Sequence, residues 1–159
     1  MRRIGWVPAV VVLFLLSGVA ATGCGRGHRS AAPTALPPAE AARVLIDRNW
    51  MDLWPENERQ RLHVFRFTPA MGGGVFQDRT LFKGTFELFR FAIDGKALEI
   101  ELPETGEHVR TGYRIDRVDG PAPFDLRLTF ERSPRGPRVY YGRTDETAGD
   151  SLALPLPQP

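Results

Sequence analysis

The feature that most constrains the fold is a series of short apolar runs between residues 61 and 141, separated by clusters of turn-forming residues. Glycine and proline clusters favour tight turns, because glycine adopts positive φ angles and proline fixes its own φ. The triple glycine Gly72–Gly74 is predicted to be one of these hairpin turns. The runs between the turns have the length and alternation of β-strands. Seven runs are predicted to be strands: 61–68, 75–82, 85–93, 97–102, 109–118, 124–131 and 138–141.

The cleanest alternation lies in residues 124–131, where apolar and polar side chains follow one another without a break. A strand with one buried face has this pattern, because successive side chains point to opposite sides of the sheet. The pattern therefore predicts that Leu126 and Leu128 face the interior and that Arg127 faces water.

Short strands joined by tight connections are typical of an antiparallel up-and-down meander. Closing the meander into a barrel buries the apolar face of each strand and removes the exposed edges. We therefore predict an all-β domain over residues 39–143, a small antiparallel up-and-down β-barrel of about seven to eight strands. Residues 39–47 follow two prolines, are rich in helix formers and predict a short N-terminal helix.

The chain on either side of this domain has a different composition. Residues 24–38 are rich in Gly, Arg, Ser, Ala and Pro, which predicts a flexible tether. Residues 144–159 combine turn formers, acidic residues and prolines, which predicts a mostly disordered tail. The alternation of Leu152, Leu154 and Leu156 leaves open an additional edge strand.

Residues 1–23 have the organisation of an export signal. Arg2 and Arg3 form a positively charged start, and the apolar run Val10–Leu16 follows. Small residues then continue to position 23. Two other interpretations stay open: an uncleaved transmembrane anchor over residues 4–23, and ordinary secretion after cleavage at a small-residue site.

The motif Ala21-Thr22-Gly23-Cys24 resembles the lipobox of bacterial lipoproteins. The resemblance implies cleavage before Cys24, a diacylglycerol on its thiol and acylation of the new amino terminus. Several acyl chains anchor a protein stably, whereas one chain binds only marginally. Residue 25 is Gly rather than the Asp that retains many lipoproteins at the inner membrane, so the resemblance implies the periplasmic face of the outer membrane in a Gram-negative cell.

The charge balance argues against a nucleic-acid partner. Of the 21 Lys and Arg residues, Arg2 and Arg3 lie in the predicted signal, and the rest balance the 19 Asp and Glu residues. The mature chain is therefore neutral. Nucleic-acid binding normally needs a basic patch that displaces counterions from the phosphates.

Residues that carry most enzyme chemistry are few. Cys24 is the only cysteine, so no intrachain disulfide is possible, and its acylation would remove it as a nucleophile. His63 and His108 could meet across strands, but no histidine has the spacing of a metal site. Glu99 and Glu101 share a strand face that points to water. No catalytic residue, metal site or cofactor is therefore predicted.

Aromatic residues are the most suggestive group in the predicted barrel. Six are predicted to line a candidate ligand pocket: Trp50, Phe65, Phe67, Phe89, Phe91 and Tyr113. The Trp near the first strand and the late motif Thr111-Gly112-Tyr113 resemble the lipocalins, and this resemblance implies a barrel that holds a small apolar ligand. The alternative is that the rings fill the core, because small barrels are packed by their own side chains.

Together these observations predict a non-enzymatic envelope lipoprotein, held at the membrane through Cys24, that binds a small apolar ligand or a protein partner. A structural or assembly lipoprotein with a filled barrel is the alternative, and an enzyme is the third interpretation.

Overall fold

The computed structural model describes residues 32–146. These residues form one α-helix, α1 (Pro38–Leu45), a 3-10 turn at Pro69–Met71, and nine strands. The strands are β1 (Thr34–Ala35), β2 (Asn49–Met51), β3 (Leu62–Thr68), β4 (Gly73–Arg79), β5 (Gly84–Asp94), β6 (Ala97–Leu102), β7 (Glu107–Arg117), β8 (Leu126–Phe130) and β9 (Val139–Gly142). No helix in this part of the chain is long and apolar enough to cross a bilayer.

Eight of the strands close into an antiparallel barrel. Each strand from β2 to β9 pairs with the next one along the chain, and β9 pairs with β2 between Tyr141 and Met51. β1 lies outside this ring, beside Asp116 and Arg117 at the end of β7. The predicted small up-and-down barrel with a short helix is therefore confirmed.

The start of the domain differs from the sequence prediction in two ways. The helix ends at Leu45, and Asp47 has a positive φ of 57°, so the chain turns and forms the three-residue strand β2 instead of continuing as helix. Residues 34–36, predicted as tether, also belong to the domain. Leu36 is buried, and its amide donates to the carbonyl of Ile115 at 2.8 Å.

The barrel is packed inside and covered at both ends. At one end α1 buries Ala41 and Leu45, and the Trp50 indole donates to the Leu45 carbonyl at 2.9 Å. At the other end lies the β8–β9 loop, where the Tyr140 hydroxyl donates to the Arg135 carbonyl at 3.0 Å. The buried cluster includes Phe65, Phe67, Phe76, Phe89, Leu98, Ile100, Leu102, Ile115, Leu126, Leu128 and Phe130.

A second apolar cluster lies on the outside of the barrel. Outward-facing side chains of β2 and β3 are covered there by the β2–β3 and β7–β8 connections. Its members are Met51, Leu62, Val64 and Phe124, with Leu53, Trp54 and Tyr141 packed against them. As a result, both faces of β3 are largely buried.

Strand β8 confirms part of the prediction made from its alternation. Leu126 and Leu128 are buried inside the barrel. The prediction that Arg127 simply faces water is wrong, because the β7–β8 register places it opposite Asp116, a carboxylate residue only 2% exposed. Arg127 Nη2 lies 2.9 Å from Asp116 Oδ2, and Arg114 Nε lies 3.1 Å from Asp116 Oδ1.

The first residues of the predicted tail contact the barrel. Glu146 Oε1 accepts hydrogen bonds from the backbone amide of Asn49 at 2.9 Å and from its side-chain amide at 2.7 Å, and Arg66 Nη1 lies 3.4 Å away. The predicted signal, Cys24 and the tail leucines lie outside the described residues.

Candidate interaction face

Most of the six aromatic residues predicted to line a pocket pack directly against one another inside the barrel. The ring centroid of Phe67 lies 5.8 Å from that of Phe65, 5.3 Å from that of Phe89 and 5.2 Å from that of Phe91. Trp50 is fully buried beneath α1. The structure therefore brings these five rings together as packing for the centre of the barrel.

The triple glycine makes room for one of these rings. Gly72 adopts the left-handed φ of 77° at the turn, whereas Gly73 and Gly74 already belong to β4. A Cβ atom on Gly74 would lie 2.4 Å from Cζ of Phe89. The predicted hairpin turn thus involves only part of the glycine run, and the remainder lets the ring approach the backbone.

Tyr113 lies in the same buried cluster as these rings, on the side that faces α1. Its side chain is buried, and its hydroxyl has no hydrogen-bond partner among the described residues. Burial raises the pKa of the phenol. Tyr113 lines a surface cleft of about 280 Å³ beside α1, together with Leu36, Ala41 and Ile115.

A polar cluster lies at the end of the barrel opposite α1. His63 Nδ1 is 2.7 Å from Asp52 Oδ2, and the His63 amide donates to Asp52 Oδ1 at 2.8 Å. The imidazole stacks on Phe76, and its Nε2 lies 3.8 Å from Asp78 Oδ1. The hydrogen bond from Arg61 lowers the pKa of Asp78. Both edges of the imidazole therefore face carboxylates, an arrangement that fixes the start of β3 to its neighbours.

Arg135 joins three segments at the same end. Its Nε donates to Glu87 Oε2 at 2.8 Å, and its Nη1 donates to Glu107 Oε2 at 2.8 Å. The hydrogen bond to Glu87, and then that to Glu107, raises the pKa of the guanidinium. These charged groups satisfy one another and tie the β8–β9 loop to β5 and β7.

The remaining residues considered for chemistry lie on separate surfaces. His108 is on β7, which does not pair with β3, so the structure does not bring the two histidines together as strand neighbours. Glu99 faces outward beside Arg110, and Glu101 faces outward 3.3 Å from Arg90, which confirms the predicted orientation of both carboxylates.

The most exposed large apolar side chains form a contiguous surface, which we call the β4–β5 outer face. It consists of Met71, Val75, Gln77, Arg79, Leu81, Phe82, Lys83, Gly84, Thr85, Phe86 and Leu88, around a cleft of about 510 Å³. Four of these side chains are strongly exposed: Met71 by 80%, Phe82 by 70%, Phe86 by 71% and Leu88 by 54%. Contiguous exposed apolar surface of this kind marks interaction sites in soluble proteins.

Strand register assembles the centre of this face. Val75 on β4 is paired with Leu88 on β5, and Gln77 is paired with Phe86. Directly opposed residues of antiparallel strands have neighbouring side chains. The turns at the two ends of β4 add Met71 and Phe82, so the apolar surface runs along the whole strand.

The charges on the β4–β5 outer face have one sign. Arg79 and Lys83 line the cleft, and its lining contains no Asp or Glu. Arg79 donates to the Thr80 carbonyl at 3.2 Å and to the Gln77 side-chain oxygen at 3.3 Å. Within the described part of the chain, neither cation forms an ion pair, so both charges are available to a binding partner.

The sequence carried one signal for this face. In β5, the odd-numbered residues Phe89, Phe91 and Ile93 point inward, whereas the even-numbered residues Phe86 and Leu88 point outward. A strand with large apolar residues at both odd and even positions has two apolar faces. Only the structure shows that the outward one is left uncovered.

Comparisons of the chain with protein-family models, with curated proteins and with solved structures found no match. In the part of the chain that the structure describes, no group of three or more His, Cys, Asp or Glu side chains is placed to hold a metal ion.

Proposed function

We propose that this protein is a non-enzymatic lipoprotein of the cell envelope, anchored through acyl chains on Cys24, whose barrel acts through the β4–β5 outer face. The observation that carries the proposal is the contrast between the two sides of β4 and β5. Their inward side is occupied by packed rings, whereas Phe82 and Phe86 are about seven-tenths exposed on the outward side. A surface of this composition is costly to leave in water unless it serves an interaction.

The polar groups of the barrel support a binding role over a catalytic one. His63 is held between Asp52 and Asp78, and the Arg135 guanidinium is bonded to Glu87 and Glu107. A general base needs a free nitrogen or oxygen within hydrogen-bond reach of the group that it deprotonates. Arg135, Glu87 and Glu107 use their polar atoms on one another, and Nδ1 of His63 is bonded to Asp52. The other imidazole nitrogen, Nε2, lies 3.8 Å from Asp78 Oδ1, beside the ring of Phe76.

The anchor is supported by the position of the lipobox-like motif relative to the domain. Cys24 precedes Ala32, the first described residue, by eight positions. Acylation of this cysteine would hold the barrel close to the membrane surface. In a Gram-negative cell the expected location is the periplasmic face of the outer membrane, because Gly25 replaces the usual inner-membrane retention signal.

A second candidate function is the capture of a small apolar ligand, and Tyr113 is the observation that favours it. Its buried hydroxyl lacks a partner in the described part of the chain, beside a cleft whose lining includes Leu36 and Ile115. A ligand with one polar group would satisfy that hydroxyl while burying its apolar part. The cleft of about 280 Å³ is just below the usual size range of small-molecule sites, which begins at about 300 Å³.

Cys24→Ser tests the anchor directly. We expect this variant to accumulate as an uncleaved precursor or to leave the membrane fraction, because lipoprotein processing requires the cysteine thiol and stable anchoring requires several acyl chains. Ser30→Ala, a change in the predicted tether, serves as the control and should be processed and retained normally. The measurement is the apparent mass and membrane partition of each variant in cells. Normal cleavage and membrane retention of Cys24→Ser would refute the lipoprotein assignment.

A further inference from the structure

We propose that the β4–β5 outer face docks on an anionic lipid bilayer, so that the barrel lies against the membrane to which it is anchored. This inference rests on the proposed function, in which Cys24 holds the domain at that membrane. It goes further by naming the surface that the face contacts.

Backbone pairing leaves one short edge near this face open to strand addition. β4 is paired with β3 on one edge and with β5 on the other. β5 is paired with β6 only over residues 90–94, so among the described strands none pairs with the second edge of residues 84–89. A peptide added there would lie beside β5 in the plane of the sheet and would leave the outward side chains of β4 uncovered. Contact over the whole face must be made through side chains, and a bilayer requires no directional backbone bonds.

The side chains have the composition of a membrane-interface surface. Phe82, Phe86, Leu88 and Met71 can enter the region between headgroups and acyl chains, where apolar groups leave water. Lys and Arg side chains place their apolar stems along such a surface and keep the charge at headgroup depth.

The charges on the face favour anionic headgroups. Arg79 and Lys83 lie among the apolar residues, and no carboxylate lines the cleft. Each cation near an anionic membrane surface adds to the attraction, and salt screens this contribution. The mature chain is neutral as a whole, so this attraction would come from the local arrangement.

The length of chain between the anchor and the domain makes this orientation feasible. The eight positions from Cys24 to Ala32 span at most about 29 Å when extended. The domain begins at β1, beside β7, and β7 lies two strands from β5. Two strand spacings amount to about 10 Å, which is shorter than the tether, so the face and the acyl chains can reach the same bilayer. Tethering also raises the effective concentration of the face at the membrane, so weak contacts suffice.

The test measures binding of the unacylated mature chain, carrying Cys24→Ser, to vesicles of phosphatidylglycerol with phosphatidylethanolamine and to vesicles of phosphatidylcholine. We expect measurable partition onto the anionic vesicles. Phe82→Ser combined with Phe86→Ser should lower the partition coefficient about tenfold or more, because two exposed rings no longer leave water. Both rings are largely exposed, so the unfolding midpoint of this double variant should stay near that of its parent.

Two matched charge variants distinguish the effect of the charges on this face from the effect of the net charge of the chain. Arg79→Gln with Lys83→Gln should weaken binding to the anionic vesicles about tenfold and leave binding to phosphatidylcholine nearly unchanged. Lys96→Gln with Arg132→Gln removes the same two residue types from a cleft on the β6–β7 side of the barrel and should have little effect.

Three results would overturn the inference. The first is that the chain does not bind vesicles, and the second is that the Phe82→Ser/Phe86→Ser variant binds them as well as its parent does. The third is that the parent forms a dimer in the absence of vesicles and the variant does not. The third result would assign the face to a second copy of the chain. Because the assay uses unacylated protein, its failure would leave the processing test of Cys24 untouched, and the two proposals can fail separately.

Discussion

Leu126→Asp is expected to prevent the barrel from folding. Leu126 is only 1% exposed and points into the interior from β8, where Phe130 and Leu128 share its side of the strand. The substitution would place an unpaired carboxylate in an apolar core. The cost is several kcal/mol, a large fraction of the about 5–15 kcal/mol that stabilises a typical domain.

Thr129→Asp is the matched control for this prediction. It introduces the same side chain on the same strand, but on the outward side and opposite Arg114 on β7. We expect a loss of about 1 kcal/mol or less, since water and a nearby cation solvate the carboxylate. Chemical denaturation followed by far-ultraviolet circular dichroism measures both variants. Equal stability of the two would contradict the assignment of β8 as a strand with one buried face.

Arg127→Asp is expected to have the second-largest effect. Arg127 neutralises Asp116, whose side chain is almost fully buried, and the substitution would set two carboxylates against each other. Removing one partner of a buried ion pair costs about 3–5 kcal/mol, because the other charge stays buried without compensation. Arg114 also contacts Asp116, and this second cation should hold the loss toward the lower end of that range.

Arg117→Asp is the control for the buried pair. It makes the same substitution in another ion pair, that of Arg117 with Glu40, in which both side chains are substantially exposed. Exposed pairs contribute about 0–1 kcal/mol, so the denaturation midpoint should move little. If both variants lost the same stability, burial of Asp116 would not be what makes the Arg127 contact important.

The antiparallel order of the barrel was predictable from the sequence because it follows from local patterns. Each strand is short, and each turn brings the next strand beside it. The alternation in residues 124–131 also identified the inward side of β8. The strand that completes the ring, β2, has only three residues, and three residues are too few to show a period.

The partners of individual side chains were less predictable, because they depend on register between strands. Arg127 lies on the outward face of β8, as the alternation predicts, yet its environment is set by Asp116 on the neighbouring strand. The helix boundary was similarly misplaced, because the turn at Asp47 depends on how the chain joins β2 to the barrel.

The candidate sites show the same limit. The sequence identified the aromatic residues but not which of them would face outward. Phe89 and Phe91 are packed inside, whereas Phe82 and Phe86 are exposed. The sequence shows which residues of a strand point inward only when one face of the strand is polar. In β5 both faces carry large apolar residues.

Native mass spectrometry of the protein extracted from its own membrane tests the central claim most directly, because it reports the N-terminus, the acylation state and any retained ligand in one measurement. We predict a chain that begins at Cys24 and carries the added mass of a thioether-linked diacylglycerol and of an acyl group on the amino terminus. A retained small apolar molecule that Tyr113→Phe releases would favour the ligand-binding candidate over the outer face. A chain that keeps residues 1–23, or one whose Cys24 bears no acyl group, would contradict the account.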